Sequence, residues 1–184
     1  MALTKTPICN FGEKAINFNL ISTENEKITL DKVRGKNGTL IMFICNHCPY
    51  VKAVIKDIVE DSKYLETLDV NTVAIMSNDV KNYPEDSFEN MINFSKSNKF
   101  SFPYLYDDTQ EVARNYGAVC TPDFFGYNKN LELQFRGRIR ELKNLMPVRT
   151  GDSDLKIAMK LISETGNGPK NQIPSMGCNI KWFK

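Results

Sequence analysis

The chain has 184 residues, 41% of them hydrophobic, with 24 Lys and Arg against 22 Asp and Glu for a formal charge of +2. That length suits one domain with a full core, and no basic block or stripe is present to follow a phosphate backbone, so nucleic acid is not expected as a partner. No apolar run reaches membrane-spanning length, and the N-terminus lacks a basic start followed by a long apolar segment, so a cytoplasmic protein with no membrane partner is expected. Five cysteines are too few, and odd in number, for a disulfide scaffold, which points to thiols that are reduced or cycling.

Residues 1–11 carry no periodicity and read as an N-terminal arm. Ile16, Phe18 and Leu20 alternate with Asn17 and Asn19 as in a half-buried strand, and Glu24, Asn25 and Glu26 read as its turn. Residues 29–33 suggest one helical turn before the glycines at 35 and 38. Residues 39–44 are almost wholly apolar, as in a strand buried on both faces of a parallel sheet. From Pro49 the period changes, and Val51, Val54, Ile55, Ile58, Ser62 and Leu65 fall on one helical face. Residues 70–76 are rich in β-branched side chains and read as a second inner strand, parallel to the first through a right-handed crossover. The polar stretch 78–86 either borders a site or simply connects, the connector being the plainer reading. A helix with Phe88, Met91, Ile92 and Ser95 on one face follows, then an outer strand at 102–106. Asp107 and Asp108 offer N-caps for a helix at 109–116 that Gly117 ends. Residues 118–127 and 131–135 form a hairpin, and a last helix over about 153–165 turns Leu155, Ala158, Met159 and Ile162 inward. Residues 166–184 are a tail, which leaves one domain at 12–165.

The chemistry sits where the first apolar strand meets its helix, at Cys45-Asn46-His47-Cys48. Two cysteines two residues apart at a strand-helix junction read as a redox site. Unpaired N–H groups and the helix dipole favour a thiolate there by about 0.3–1 kcal/mol, which makes Cys45 the candidate nucleophile. Its pKa is expected in the upper part of the range of about 3.5–7.5 seen for activated thiols. Cys48 lies three residues before Val51 and seven before Ile55, so helical geometry turns it toward the apolar face, where it is placed to resolve. His47, the only histidine, lowers a neighbouring thiol pKa while it is an imidazolium. Two merely packed thiols, or a Cu(I) site made by both thiolates and His47, remain the alternatives. Zinc wants four ligands and no second pair is visible, so neither a metal nor a cofactor is expected.

The order of elements, with Cys-Asn-His-Cys-Pro-Tyr at 45–50 and Tyr-Gly-Ala-Val-Cys-Thr-Pro-Asp at 116–123, resembles the thioredoxin-like redoxins over about residues 12–165. Within them it looks most like a peroxiredoxin-like, AhpC/TSA-related branch. The resemblance implies an α/β thioredoxin-like fold, a central mixed sheet flanked by helices with an extra N-terminal hairpin. It implies a thiol-disulfide oxidoreductase in which Cys45 attacks and Cys48 resolves, with a protein or small-molecule disulfide as substrate and a thiol as electron donor. Pro122 would be a cis proline beside the cysteines, and Asn46, Thr121 and Pro122 would contact substrate, the Thr121 backbone pairing with an extended peptide.

Two positions depart from the families. Thioredoxins keep a buried acid six residues before the first cysteine, where this chain has Thr39, so the proton acceptor for Cys48 is unassigned. Peroxiredoxins keep a proline and a hydroxyl where this chain has Ile41 and Cys45, and their partner arginine, which would fall near Pro122, is missing, so a thiol-dependent peroxidase is only the alternative activity and a Cu(I) or redox-sensing protein the non-enzymatic one. Cys120 is a possible third thiol, with packing the plainer reading. Cys9 and Cys178 read as packed or surface thiols, though a tail thiol can also fold back to resolve a sulfenic acid.

Overall fold

A computed structural model describes residues 2–184. Its strands are β1 (Leu3–Lys5), β2 (Asn19–Ser22), β3 (Lys27–Thr29), β4 (Gly38–Phe43), β5 (Val70–Met76), β6 (Tyr104–Tyr106), β7 (Cys120–Thr121), β8 (Asp123–Asn128), β9 (Leu133–Phe135), β10 (Leu142–Lys143), β11 (Met146–Pro147) and β12 (Met176–Asn179). Its helices are α1 (Leu30–Val33), α2 (Pro49–Glu66), α3 (Phe88–Ser97), α4 (Glu111–Asn115) and α5 (Asp154–Thr165).

Strand β4 is apolar throughout because both of its faces are covered. Leu40 and Met42 pack into one core with residues of α2, α3 and α5, while Ile41 and Phe43 pack into a second core with residues of α1 and α4. Each such side chain, fully withdrawn from water, contributes about 1.5–3 kcal/mol, so a charge at Ile41 would break the sheet from its centre. The main sheet has the order β3-β2-β6-β5-β4-β8-β9. Strands β4, β5 and β6 run parallel, and β8 runs antiparallel to β4. The β2-β3 hairpin extends the edge beyond β6. This is the thioredoxin-like α/β architecture with its extra N-terminal hairpin.

Register places the site. Phe43, the last residue of β4, pairs with Asp123, the first of β8. The loop that leaves β4 toward α2 and the Thr121-Pro122 turn that enters β8 therefore meet at one end of the sheet. The Thr121–Pro122 peptide is cis.

Four local expectations shift. The strand expected around residues 16–20 is β2 at Asn19–Ser22, so Phe18 is buried ahead of it and Ile16 is exposed. The helix expected at 109–116 is only Glu111–Asn115, because Gln110 takes a left-handed conformation, φ 63°, and its buried amide donates to the carbonyls of Ser77 and Lys181. Asp107 still accepts from the N–H groups of Val112 and Ala113. The arm and the tail are not featureless: β1, β12 and β7 form a second, three-stranded sheet. No helix of the structure is long and apolar enough to cross a membrane.

Candidate active site

Helix α2 begins with Cys48 as its N-cap and Pro49 at its first position, where the missing N–H would have had no intrahelical partner. The Val51 N–H, free in the first turn, favours a thiolate at Cys48, although the Cys48 side chain makes no capping hydrogen bond. Cys45 lies three residues upstream in the loop, in hydrogen-bond contact with Cys48 and 3.3 Å from the Thr121 hydroxyl. Both sulfurs are buried, and all five cysteines are free thiols.

This geometry reverses the expected titration of the pair. Cys48 is held below the ordinary thiol range, first by the bond from Cys45 and then, against the penalty of burial, by contacts with Cys178 and the Val51 N–H. Cys45 is pushed up by the same bond, by burial and by the charge of Asp86. The lowering expected at Cys45 falls on Cys48 instead, chiefly through the contact between the two sulfurs, with a smaller contribution from the helix start that Cys48 occupies. The Thr121 carbonyl, 3.1 Å from the Cys48 sulfur, accepts from it as a thiol and opposes it as a thiolate.

No acid stands at position 39, and a buried one lies beside the cysteine loop from another segment. Thr39 itself accepts from the Gly35 N–H. Asp86, in a 3-10 turn at Pro84–Asp86, is fully buried beside the cysteine loop. One carboxylate oxygen accepts from the backbone N–H groups of Asn46 and His47 at 2.8 and 3.3 Å. The other lies 2.6 Å from His47 Nδ1 and accepts from Asn78 at 2.8 Å. Four donors thus converge on one side chain of the loop that reads in sequence as a connector. Asp86 is one of two adjacent acids after Pro84, and nothing in the sequence sets it apart from Glu85. Asn46 is fixed further by donating to the Glu85 carbonyl and accepting from Tyr104, while the His47 ring stacks on Tyr83 at an interplanar angle of 8°.

Asp86 raises the His47 pKa above its usual 6.5. Because the folded value is raised above the unfolded one, the stabilisation from this pair is complete below about pH 6.5 and is lost as pH rises through the folded value. The single histidine gives one ring signal by proton NMR. Its midpoint is expected above 6.5 in the native chain and lower in Asp86→Asn, and an unmoved midpoint would mean that the carboxylate does not hold the imidazolium.

Cys120, the possible third thiol, is buried with its sulfur 3.7 Å from the Pro122 carbonyl, and burial pushes its pKa far up. The sulfur that does reach the pair is that of Cys178, 3.0 Å from Cys48. Cys9 is half-buried, with its pKa pushed up to about 11 by burial, and belongs to another part of the surface beside Gln172 and Arg136. Among the described residues, Cys45, His47 and Asp86 form the one group with metal-binding spacing, their ligand atoms lying within 4.8 Å of one another. Cys48 is outside that group, and His47 Nδ1 faces the Asp86 carboxylate. A cavity of about 220 Å³ opens beside Pro122, lined by Tyr50, Val54, Ile139, Arg140 and Met176 among others.

Residues 11–142 match the profile of the AhpC/TSA family. The chain belongs to the AhpC/TSA family. Two solved structures are similar over nearly the whole length. An uncharacterized conserved protein from Geobacillus kaustophilus shares 37% identity with a TM-score of 0.93, over 100% of this chain and 97% of that one. A hypothetical protein from Sinorhizobium meliloti 1021 shares 32% with a TM-score of 0.90, over 98% of each. A thiol:disulfide interchange protein of the thioredoxin family from Chlorobium tepidum TLS, at 16% identity and a TM-score of 0.62 over 83% of this chain and 97% of that one, shares the fold. A comparison with curated proteins gave no match. Membership in the AhpC/TSA family supports a redox function in general.

Proposed function

We propose that this AhpC/TSA member is a thiol-disulfide oxidoreductase whose working pair is Cys45 and Cys48. The observation that carries the reading is the contact of two thiols at the start of α2, with Cys48 as the capped, more acidic sulfur, beside the Thr121-Pro122 turn. In the oxidised pair, a substrate thiolate attacks Cys45. The Cys45–Cys48 bond breaks, and Cys48 leaves with the electron pair as the thiolate that the Val51 N–H stabilises. A lower leaving-group pKa speeds this step. The second substrate thiol, giving up its proton, then displaces Cys45, so the substrate ends as a disulfide and the pair as two thiols. The same steps in reverse make Cys45 the attacking sulfur and Cys48 the resolving one. Asn46, Thr121 and Pro122 are the proposed substrate contacts, His47 and Asp86 hold the loop, and a thiol or disulfide partner in the cytoplasm restores the pair. Stabilising the Cys48 thiolate favours the reduced pair and so favours oxidising work.

The reading is tested by incubating Cys48→Ser with insulin. A mixed disulfide at Cys45 is expected to accumulate, and a chain that remains unmodified would overturn it. Thiol peroxidase activity is a second reading, favoured by one observation: a single acidic sulfur, Cys48, in contact with other thiols. Peroxide-dependent thiol loss at catalytic speed with negligible insulin turnover would select it.

A further inference from the structure

We infer that Cys178 is a third redox-active thiol, presented to Cys48 by a tail strand that occupies the protein's own peptide-docking edge. The inference rests on the pair proposed above. In that proposal an extended substrate peptide pairs with the backbone of Thr121. In the structure this edge is taken: β12 lies antiparallel to β7, with Cys178 opposite Thr121 and Asn179 opposite Cys120. The strand is the chain's own, and it places a cysteine where a substrate peptide would present one.

The fit is built. A Cβ added at Gly177 would lie 2.0 Å from the Thr121 carbonyl oxygen and 3.2 Å from Pro122 Cδ, so only glycine permits this approach. On one side of Cys178, the Ser175 hydroxyl donates to the Pro122 carbonyl at 2.8 Å, and β1 pairs along the strand's outer edge. On the other, the Ile180 N–H donates to the Val119 carbonyl, and Asn78, which also holds Asp86, accepts from the Lys181 N–H. The tail is thereby tied to the same network as the cysteine loop, and Cys178 Sγ comes to 3.0 Å from Cys48 Sγ. Cys48 is in contact with a thiol of its own loop and with one from the tail.

The chemistry needs no outside oxidant once the pair is oxidised. The Cys178 thiolate attacks Cys48, the Cys45–Cys48 bond breaks as the Cys48–Cys178 bond forms, and Cys45 leaves as a thiolate that takes up the proton Cys178 gave up. The disulfide moves, Cys45 becomes a free thiol, and the tail is covalently fixed across the Thr121 edge. A thiol donor that attacks the new bond releases it.

The test uses the full chain treated with oxidised glutathione, followed by peptide mapping without reduction. Cys45→Ser is expected to lose two hydrogens and yield a Cys48–Cys178 link. A glutathione adduct on Cys48 with Cys178 still a thiol would overturn the inference. The unmodified chain, which avoids any question of folding, is expected to yield both the Cys45–Cys48 and Cys48–Cys178 links across glutathione ratios; only the first link at every ratio would also overturn it. Gly177→Ala is expected to lose the tail link and keep the other. Cys178→Ser separates the two claims: a retained Cys45–Cys48 link keeps the proposed pair even where the tail link is never found, and its loss removes the pair itself.

Discussion

Arg136→Ala is expected to destabilise the fold by about 3–5 kcal/mol, the scale on which a buried charge deprived of its partner acts. Asp123, directly after Pro122, has no exposed side-chain surface, and among the described residues Arg136 is its one cationic partner, with Nε 3.3 Å from one oxygen and Nη2 3.0 Å from the other. The same guanidinium donates to the Gly117 carbonyl at 2.8 Å and lies 4.4 Å from the Phe125 ring centroid, so its loss opens three contacts at once. Burial already pushes the Asp123 carboxyl up against the pull of Arg136. Without Arg136 the folded pKa rises further above the unfolded one. The penalty is therefore full above the folded value and fades as the pH falls through it. Urea unfolding of both chains at neutral and mildly acidic pH measures this. A difference under about 1 kcal/mol at neutral pH would place the pair among those that contribute little.

Cys48→Ser is expected to lower insulin-disulfide turnover by a factor on the order of 10³ or more, as removal of one member of a reacting unit does. Cys48 is the sulfur that both other thiols touch, so the substitution removes every short route to an intramolecular disulfide. Serine keeps the volume and offers the Val51 N–H an acceptor, which keeps the start of α2 intact and makes the loss chemical. Cys120→Ser is the control, expected within about twofold of the native chain because the Cys120 sulfur has the Pro122 carbonyl as its partner. Each unit by which Cys48 is lowered is worth about 1.36 kcal/mol, or roughly 30 mV in a two-electron couple. Equal turnover in Cys48→Ser and the native chain would remove the mechanism.

What could be read in the sequence was local. The run at Thr39–Ile44 names itself as a two-sided strand because six residues in succession avoid water, and α2 because its apolar positions repeat at helical spacing. The cysteine loop and the Thr121-Pro122 turn were legible as motifs. Asp86 was not, since a carboxylate that gathers donors from Asn46, His47 and Asn78 leaves no period in its own segment. Nor was β12, because four residues whose pairing partners lie more than fifty positions away carry no alternation to detect. The shift of the acidic sulfur from Cys45 to Cys48 was not legible because it follows from sulfur contacts, one of them with Cys178 in the distant tail, that only the folded chain makes.

The strand on the Thr121 edge is tethered, and this changes what an outside peptide experiences. A docked segment of the same chain competes at an effective concentration that dilution does not alter, typically millimolar for a short link. A peptide from solution binds only the fraction of molecules whose edge is vacant. With the edge vacant in about one molecule in a hundred, an intrinsic dissociation constant of about 1 µM is observed as about 100 µM. If peptides dock at this edge as proposed, partners that also reach the cavity lined by Tyr50 and Arg140 would displace β12, and weaker ones would leave it seated. The edge thus discriminates among partners by total affinity, with no need to read their sequence.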